Sequence, residues 1–321
     1  MKPLYIYFLA ASLACTSCSD SWLDLNPSTS VPTDQAFSSL EDAQSALNGI
    51  YRLASAHSYY GDNFFYFGDC RAADVQARMT KGDGRRVSPY YEYNVKATDS
   101  FNSSLPWNQV YKVIRQTNNL IAATESGLIK TTDEAALNEI KAQALAMRGL
   151  ALYDLIRVFA MPYSYDNGQS LGVPIVTTAT DQSSKPARNT VAECYDQIIT
   201  DLTNSLAGLS KEKKDGCLNY WAVQGILSRV YLNKLDYPNA YKAATDIIEN
   251  SKSLYQLYTL DEYPTVWGKE YTSESLFEFY FSLTEPSGGS GGEGAPMVYA
   301  NEEKCGLEQS DTVGRLPELA E

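Results

Sequence analysis

Histidine is almost missing: His57 is the only one in 321 residues. Any Ser-His arrangement for nucleophilic catalysis would have to use it. Basic residues are also few, with 26 Lys and Arg against 39 Asp and Glu, a net charge of −13. Nucleic-acid binding needs clustered Lys and Arg to neutralise phosphates, so no nucleic-acid partner is expected. No apolar run reaches the roughly 20 residues that span a bilayer. After Cys18, cysteine in metal-ligand spacing is absent too. Beyond the first eighteen residues, Cys70, Cys194, Cys217 and Cys305 lie far apart and read as buried residues or incidental disulfides. The glycines at 288–292 precede no helix and no Lys-Ser/Thr pair comes after them, so they read as loop and not as a phosphate cradle. Neither a metal nor a cofactor is expected. What is abundant is tyrosine, with 24 residues, each a flat amphipathic surface for packing or ligand contact.

The N-terminus has one early charge, Lys2, then an uncharged apolar stretch over 4–14, the length of a secretory h-region. Cys15-Thr16-Ser17-Cys18 comes next. A redox CxxC belongs beside a βαβ pattern, and a zinc clip needs two further ligands; neither context is present. The small residues before Cys18 and the polar Ser19-Asp20-Ser21 after it resemble a bacterial lipoprotein cleavage site, though position −3 is Cys15 where Leu is usual. Residues 1–17 are then the signal peptide and Cys18 the acylated residue, the alternative being a plain secreted protein cut nearby. Asp20 and Asp24 are similar to the export signal of surface-exposed lipoproteins in Bacteroidetes.

Prolines 27 and 32 with scattered Ser and Thr mark 18–39 as a tether or N-terminal arm. Asp34 or Ser38 is placed to cap the first helix. Ala43, Leu47, Ile50, Tyr51 and Ala54 recur at three- and four-residue steps, which predicts an amphipathic helix over Leu40–Ala54. From 57 to 101 the period breaks among Gly61, Gly68, Gly82, Gly84, Pro89 and many aromatics, so a long irregular excursion is expected; loops of that length are often functional. Helices are predicted over 106–123, 133–159 with Asp133 as N-cap, 191–206, 217–233 and 239–250. Between them, 163–188 reads as loop with an extended Gly172-Val173-Pro174-Ile175-Val176. In 217–233, Gly225 and Ser228 are small enough to admit a neighbouring helix. The last two helices, joined through Leu235-Asp236-Tyr237-Pro238, with Ala240, Ala243 and Ala244 slimming the inner face, form a tetratricopeptide-like (TPR-like) pair. Such units stack because none buries its apolar face alone. Degenerate units are expected near 106–159 and 191–207 beside the one at 217–250. A strand is expected at 275–282 and a Gly/Ser-rich loop at 287–295. The fold class is mainly α: a TPR-like α-α superhelix with an irregular excursion and few short strands, occupying 40–321.

"CSDSWLDLNPSTSVPTDQAFSSLEDAQSALNGIYR", "WNQVYKVIRQTNNLI", "AQALAMRGLALYDLIRVFAMPY", "GVPIVTTATDQSSKPARNTVAECYDQIITDL" and "TSESLFEFYF" succeed one another in the order of the SusD/RagB family of surface glycan-binding lipoproteins. The chain resembles that family over almost its whole length. The resemblance implies an outer-membrane lipoprotein that captures an oligosaccharide or polysaccharide and passes it to a SusC-like TonB-dependent transporter. Family members usually continue well beyond this point, so the chain looks C-terminally short.

Two catalytic readings compete with binding. Gly168-Gln169-Ser170-Leu171-Gly172 fits a nucleophile elbow, but that motif needs a strand before it and a helix after it, and here a polar loop and Pro174 flank it. A glycoside hydrolase needs two carboxylates flanking a scissile bond, and no pair stands out. Catalysis is unsupported and no enzyme is expected; a TPR adaptor that binds only protein is the remaining rival. A sugar presents C–H faces to aromatic rings and hydroxyls to polar side chains. The excursion offers Tyr59, Tyr60 and Tyr66 ahead of Asp69 and Arg71, then Tyr90 and Tyr91, with Tyr93 close by. Family glycan sites also draw on loops beyond the repeats, which adds Trp267. The helical tyrosines 111, 153 and 231 read as core.

Overall fold

The structure is a computed structural model that describes residues 37–61, 63–72, 91–94, 106–178, 184–251 and 254–280. The leader, Cys18, most of the arm, Tyr90, residues 281–282 and the Gly/Ser-rich loop lie outside the described residues, as do the side chains of His57, Tyr66, Cys70 and Trp267.

Helix α1 (Leu40–Ala54) has the predicted bounds and buries the predicted stripe of Ala43, Leu47, Ile50 and Ala54. Its cap is neither Asp34 nor Ser38 but Ser39, whose hydroxyl accepts from the Asp42 amide at 3.1 Å. The Asp42 carboxylate in return accepts from the Ser39 and Ser38 amides at 2.9 and 3.0 Å. That reciprocal capping box satisfies otherwise orphan donors, and the Ser38 hydroxyl, 2.8 Å from the carboxylate, with the Ser38 and Ser39 donors, holds the Asp42 carboxyl below its usual value. A π-type turn, His57–Gly61, comes next, with Tyr59 at φ −133°, ψ −114°. The irregular excursion then contains a helix that periodicity does not predict, α2 (Asn63–Ala72). Apolar residues occur in its sequence, NFFYFGDCRA, without a 3.6-residue period, so the usual signal is absent.

α3 (Trp107–Glu125) and α4 (Glu134–Phe159) form the first antiparallel pair. Asp133 caps α4 as predicted, accepting from the Ala136 amide at 2.9 Å. From Ala142 to Ile156 nearly every α4 residue is buried, as expected of a helix with neighbours on all sides. α5 (Val191–Ser205), closed by a Thr190/Glu193 capping box, packs along α4. Their close approach is made at Gly149, where a Cβ would stand 2.9 Å from Leu202 Cγ.

α6 (Tyr220–Asn233) starts three residues later than predicted, because extended Asn219 caps it through the Ala222 amide at 2.9 Å. α7 (Tyr237–Asn250) starts two residues earlier than predicted, with Asp236 as cap and Pro238 inside the first turn, a position where its missing N–H costs nothing. Ala240 and Ala243 face α6, as the TPR-like reading requires. Gly225 chiefly admits Leu276 of the C-terminal segment, whose Cδ1 lies 2.8 Å from where a Cβ would sit; Ile247 of α7 is 3.9 Å away. Ser228 donates to the Gly225 carbonyl of its own helix.

The strand expected from residue 275 is not formed over 275–280. Phe277 and Phe279 of this segment instead turn onto Tyr51, with ring centroids 6.2 and 6.5 Å away. Among the described residues there is no strand, only isolated bridges at Ser39–Lys130 and Leu171–Thr190. The architecture is a mainly helical, TPR-like stack around one apolar core. Cys194 and Cys217 are free thiols.

Candidate functional site

Aromatic residues gather in two places. The first is a knot where the 57–61 turn meets the middle of α4. Asp154 of α4, almost wholly buried, accepts hydrogen bonds from the Tyr59 and Tyr60 hydroxyls, both at 2.6 Å. Arg157 reaches its other oxygen at 3.4 Å. Burial pushes the Asp154 carboxyl upward, against the opposing pull of the two hydroxyls and of the Arg157 and Arg229 charges. Burial and the neighbouring Asp154 raise both tyrosines well above their ordinary value, so they stay neutral donors. The rings of Tyr59, Tyr60 and Phe64 stack at 4.4–5.7 Å, and Phe279 closes on Tyr60 at 4.7 Å.

This knot corrects one expected site residue. Tyr59 is 1% exposed and presents no face to a ligand. Tyr60 is half-buried beside it, and Tyr91 is half-buried. Arg71 is exposed on α2, with its guanidinium 4.7 Å from the Phe67 ring centroid and 5.7 Å from that of Tyr93. The Tyr93 hydroxyl donates to the Arg71 carbonyl, and the residue is 67% exposed. Arg71 and Tyr93 thus form an open aromatic–cation edge. Asp69 is half-buried on the same helix. Trp267 belongs to a 3₁₀ turn, Tyr263–Gly268.

The second place is a groove of about 360 Å³ between α3 and the extended segment after α4. Trp107, Tyr111, Ile114 and Arg115 form one side, and Pro174, Val176, Thr178 and Pro186 the other. The far wall is held rigidly. Tyr111 donates to the Pro174 carbonyl at 2.9 Å, and Asn118 donates to the Val176 and Thr178 carbonyls at 2.9 and 3.2 Å. Asn118 in turn accepts from buried Arg148, which also reaches the Thr177 carbonyl and pairs with both oxygens of Asp201 at 2.8 and 2.6 Å. The Ile175 amide donates to Asn189. Trp107 leans on Tyr111 at 5.0 Å and on Phe159 edge-to-face at 4.9 Å.

The sequence alone does not reveal this groove, because Trp107 and Tyr111 read there only as a packing stripe. The available signal is their spacing with Arg115: positions 107, 111 and 115 share one helical face. Tyr153 is core as expected, whereas Tyr111 is half-buried and lines the groove. In the Gly168–Gly172 stretch, Ser170 donates to Asp166 and lies between a 3₁₀ turn and an isolated bridge, so no strand–helix elbow is present. No group of His, Cys, Asp and Glu among the described residues is arranged to hold a metal ion. No described helix is long and apolar enough to cross a membrane.

Residues 21–232 match a family model described as SusD-like, starch-binding and associating with the outer membrane. The chain is similar to a SusD-like protein of Bacteroides ovatus, 26% identical over 262 residues, covering 78% of this chain and 45% of that protein. It is also similar to the SusD-like protein P2 of Formosa agariphila, 30% identical over 256 residues, with coverages of 78% and 47%. Among solved structures, a SusD superfamily protein from Bacteroides thetaiotaomicron is 64% identical with a TM-score of 0.77, covering 82% of this chain and 57% of that one. One from Bacteroides vulgatus is 31% identical with a TM-score of 0.72, at 77% and 56% coverage. The chain therefore spans about half the length of the relatives it matches.

Proposed function

The chain belongs to the SusD/RagB family, and from that premise we propose that it binds glycan at the cell surface and makes or breaks no bond. Acyl chains on Cys18 hold it to the outer membrane, and it hands its ligand to a SusC-like TonB-dependent transporter. The observation that carries the reading is the match of 21–232 to a family described as starch-binding. The Arg71–Tyr93 edge supports it, since an exposed tyrosine beside a guanidinium suits the C–H face and hydroxyl rim of a sugar. Tyr60, Tyr66, Asp69, Tyr90, Tyr91 and Trp267 complete the proposed contacts, without Tyr59. Each buried methylene of an acyl chain contributes about 0.8 kcal/mol, so two or more chains anchor stably. Tethering then raises the effective concentration of binder at the transporter.

A glycan array probed with the full chain tests the reading. Binding to at least one oligosaccharide is expected, weakened about tenfold or more in an Arg71→Ala, Tyr93→Ala double variant, with no reducing ends released. Absence of binding to every glycan would sink it. Labelled palmitate should enter the wild-type chain and not Cys18→Ala.

A further inference from the structure

We propose that the groove between α3 and residues 174–178 is a second saccharide site, selective for a ring that bears a carboxylate: a uronic acid unit. Its ligand class rests on the glycan-binding reading above; its selectivity rests on the groove alone.

The volume of about 360 Å³ lies within the range of small-molecule pockets. Trp107 and Tyr111 stand at 5.0 Å with a 52° tilt and form two apolar faces, with Pro174 and Pro186 opposite. That is the surface a pyranose ring covers with its C–H groups. Arg115 sits at the edge of the same wall, exposed.

Three arginines serve this region, and two are committed to structure. Arg148 is saturated by Asp201, Asn118 and Thr177. Arg188 donates to the Gly172, Phe159 and Leu171 carbonyls. Arg115 makes no hydrogen bond or ion pair with any described residue, although the chain has 39 acidic side chains against 26 basic ones. Its planar fork is therefore open, and a carboxylate is the group that engages it through two parallel charge-assisted bonds.

The groove is also preorganised. Its far wall is pinned by Tyr111, Asn118 and Arg148, so little ordering is left for the ligand to impose. The net charge of −13 repels a densely charged polymer, which points to isolated uronic acid units within an otherwise neutral glycan.

Calorimetric titration of the full chain decides the matter. The probes are neutral-backbone oligosaccharides carrying one glucuronate or galacturonate, and the same oligosaccharides with the carboxyl reduced to the alcohol. The acid form should bind at least tenfold more tightly to the wild type. Arg115→Gln, an exposed substitution that leaves the core intact, should bring the two forms level, while Arg71→Ala should keep the preference. Equal binding of acid and reduced forms to the wild type, or a preference that survives Arg115→Gln, overturns this proposal and leaves the glycan reading standing. Failure of every probe and of every arrayed glycan overturns both.

Discussion

Asp154 has a defined price for ionising. Its carboxyl is buried and raised above the ordinary carboxylate value, about 3.9 in an unfolded chain, while two tyrosine hydroxyls depend on it as acceptor. Removing it in Asp154→Ala takes the buried carboxylate acceptor from both hydroxyls, a loss of about 2–4 kcal/mol visible in urea unfolding. Asp154→Asn keeps one acceptor oxygen and costs less. The raised native value also sets a sign: the stability this group contributes is present below its unfolded value and is lost as pH rises through its native one. The stability difference between wild type and Asp154→Asn should therefore move in favour of the Asn variant as pH is raised from 4 towards neutrality. A difference independent of pH would show that the carboxyl is not raised. Nothing local in the sequence announces this role. Tyr59 looks like its neighbours in a run of aromatics, and the partner that buries it lies 95 residues away.

At the scale of elements, two glycines in helices face opposite surroundings. A Cβ at Gly49 of α1 meets nothing within 4 Å, while one at Gly149 of α4 meets Leu202 of α5 at 2.9 Å. Both replacements by alanine gain up to about 1 kcal/mol of helix propensity, but the second also forces the α4–α5 contact apart, at about 1–3 kcal/mol. Gly49→Ala should raise the melting temperature and Gly149→Ala should lower it. Amphipathic helices are legible where their stripes repeat at three and four residues, as Ala43, Leu47, Ile50 and Ala54 do in α1. α2 is not, since the apolar residues in its sequence, NFFYFGDCRA, follow no 3.6-residue period. The strand expected at 275–282 shows the opposite failure over its described part, 275–280: Phe277 and Phe279 lie two apart, and among the described residues there is no strand beside them to pair. Of the two candidate sites, the excursion is visible as composition, and its open edge lies at Arg71 and Tyr93. The groove is hidden because its second wall, 174–178, is brought to α3 by Asn118 and Arg148 and not by sequence proximity.

The whole molecule is a chain of neighbours: α3 on α4, α4 on α5, α6 on α7, each pair near in sequence. Some links depart from that order, and one of them is among the longest. The Tyr51 hydroxyl donates to Gln143 at 2.8 Å and accepts from the Leu218 amide at 2.9 Å, a separation of 167 residues. Closing so long a loop costs entropy that adjacent helix pairs avoid, and local contacts form sooner than distant ones. Helix α1, the earliest in sequence of the described helices, is thus expected to be among the last fastened. In pulse-labelled refolding, amides of α6 and α7 should gain protection before those of α1.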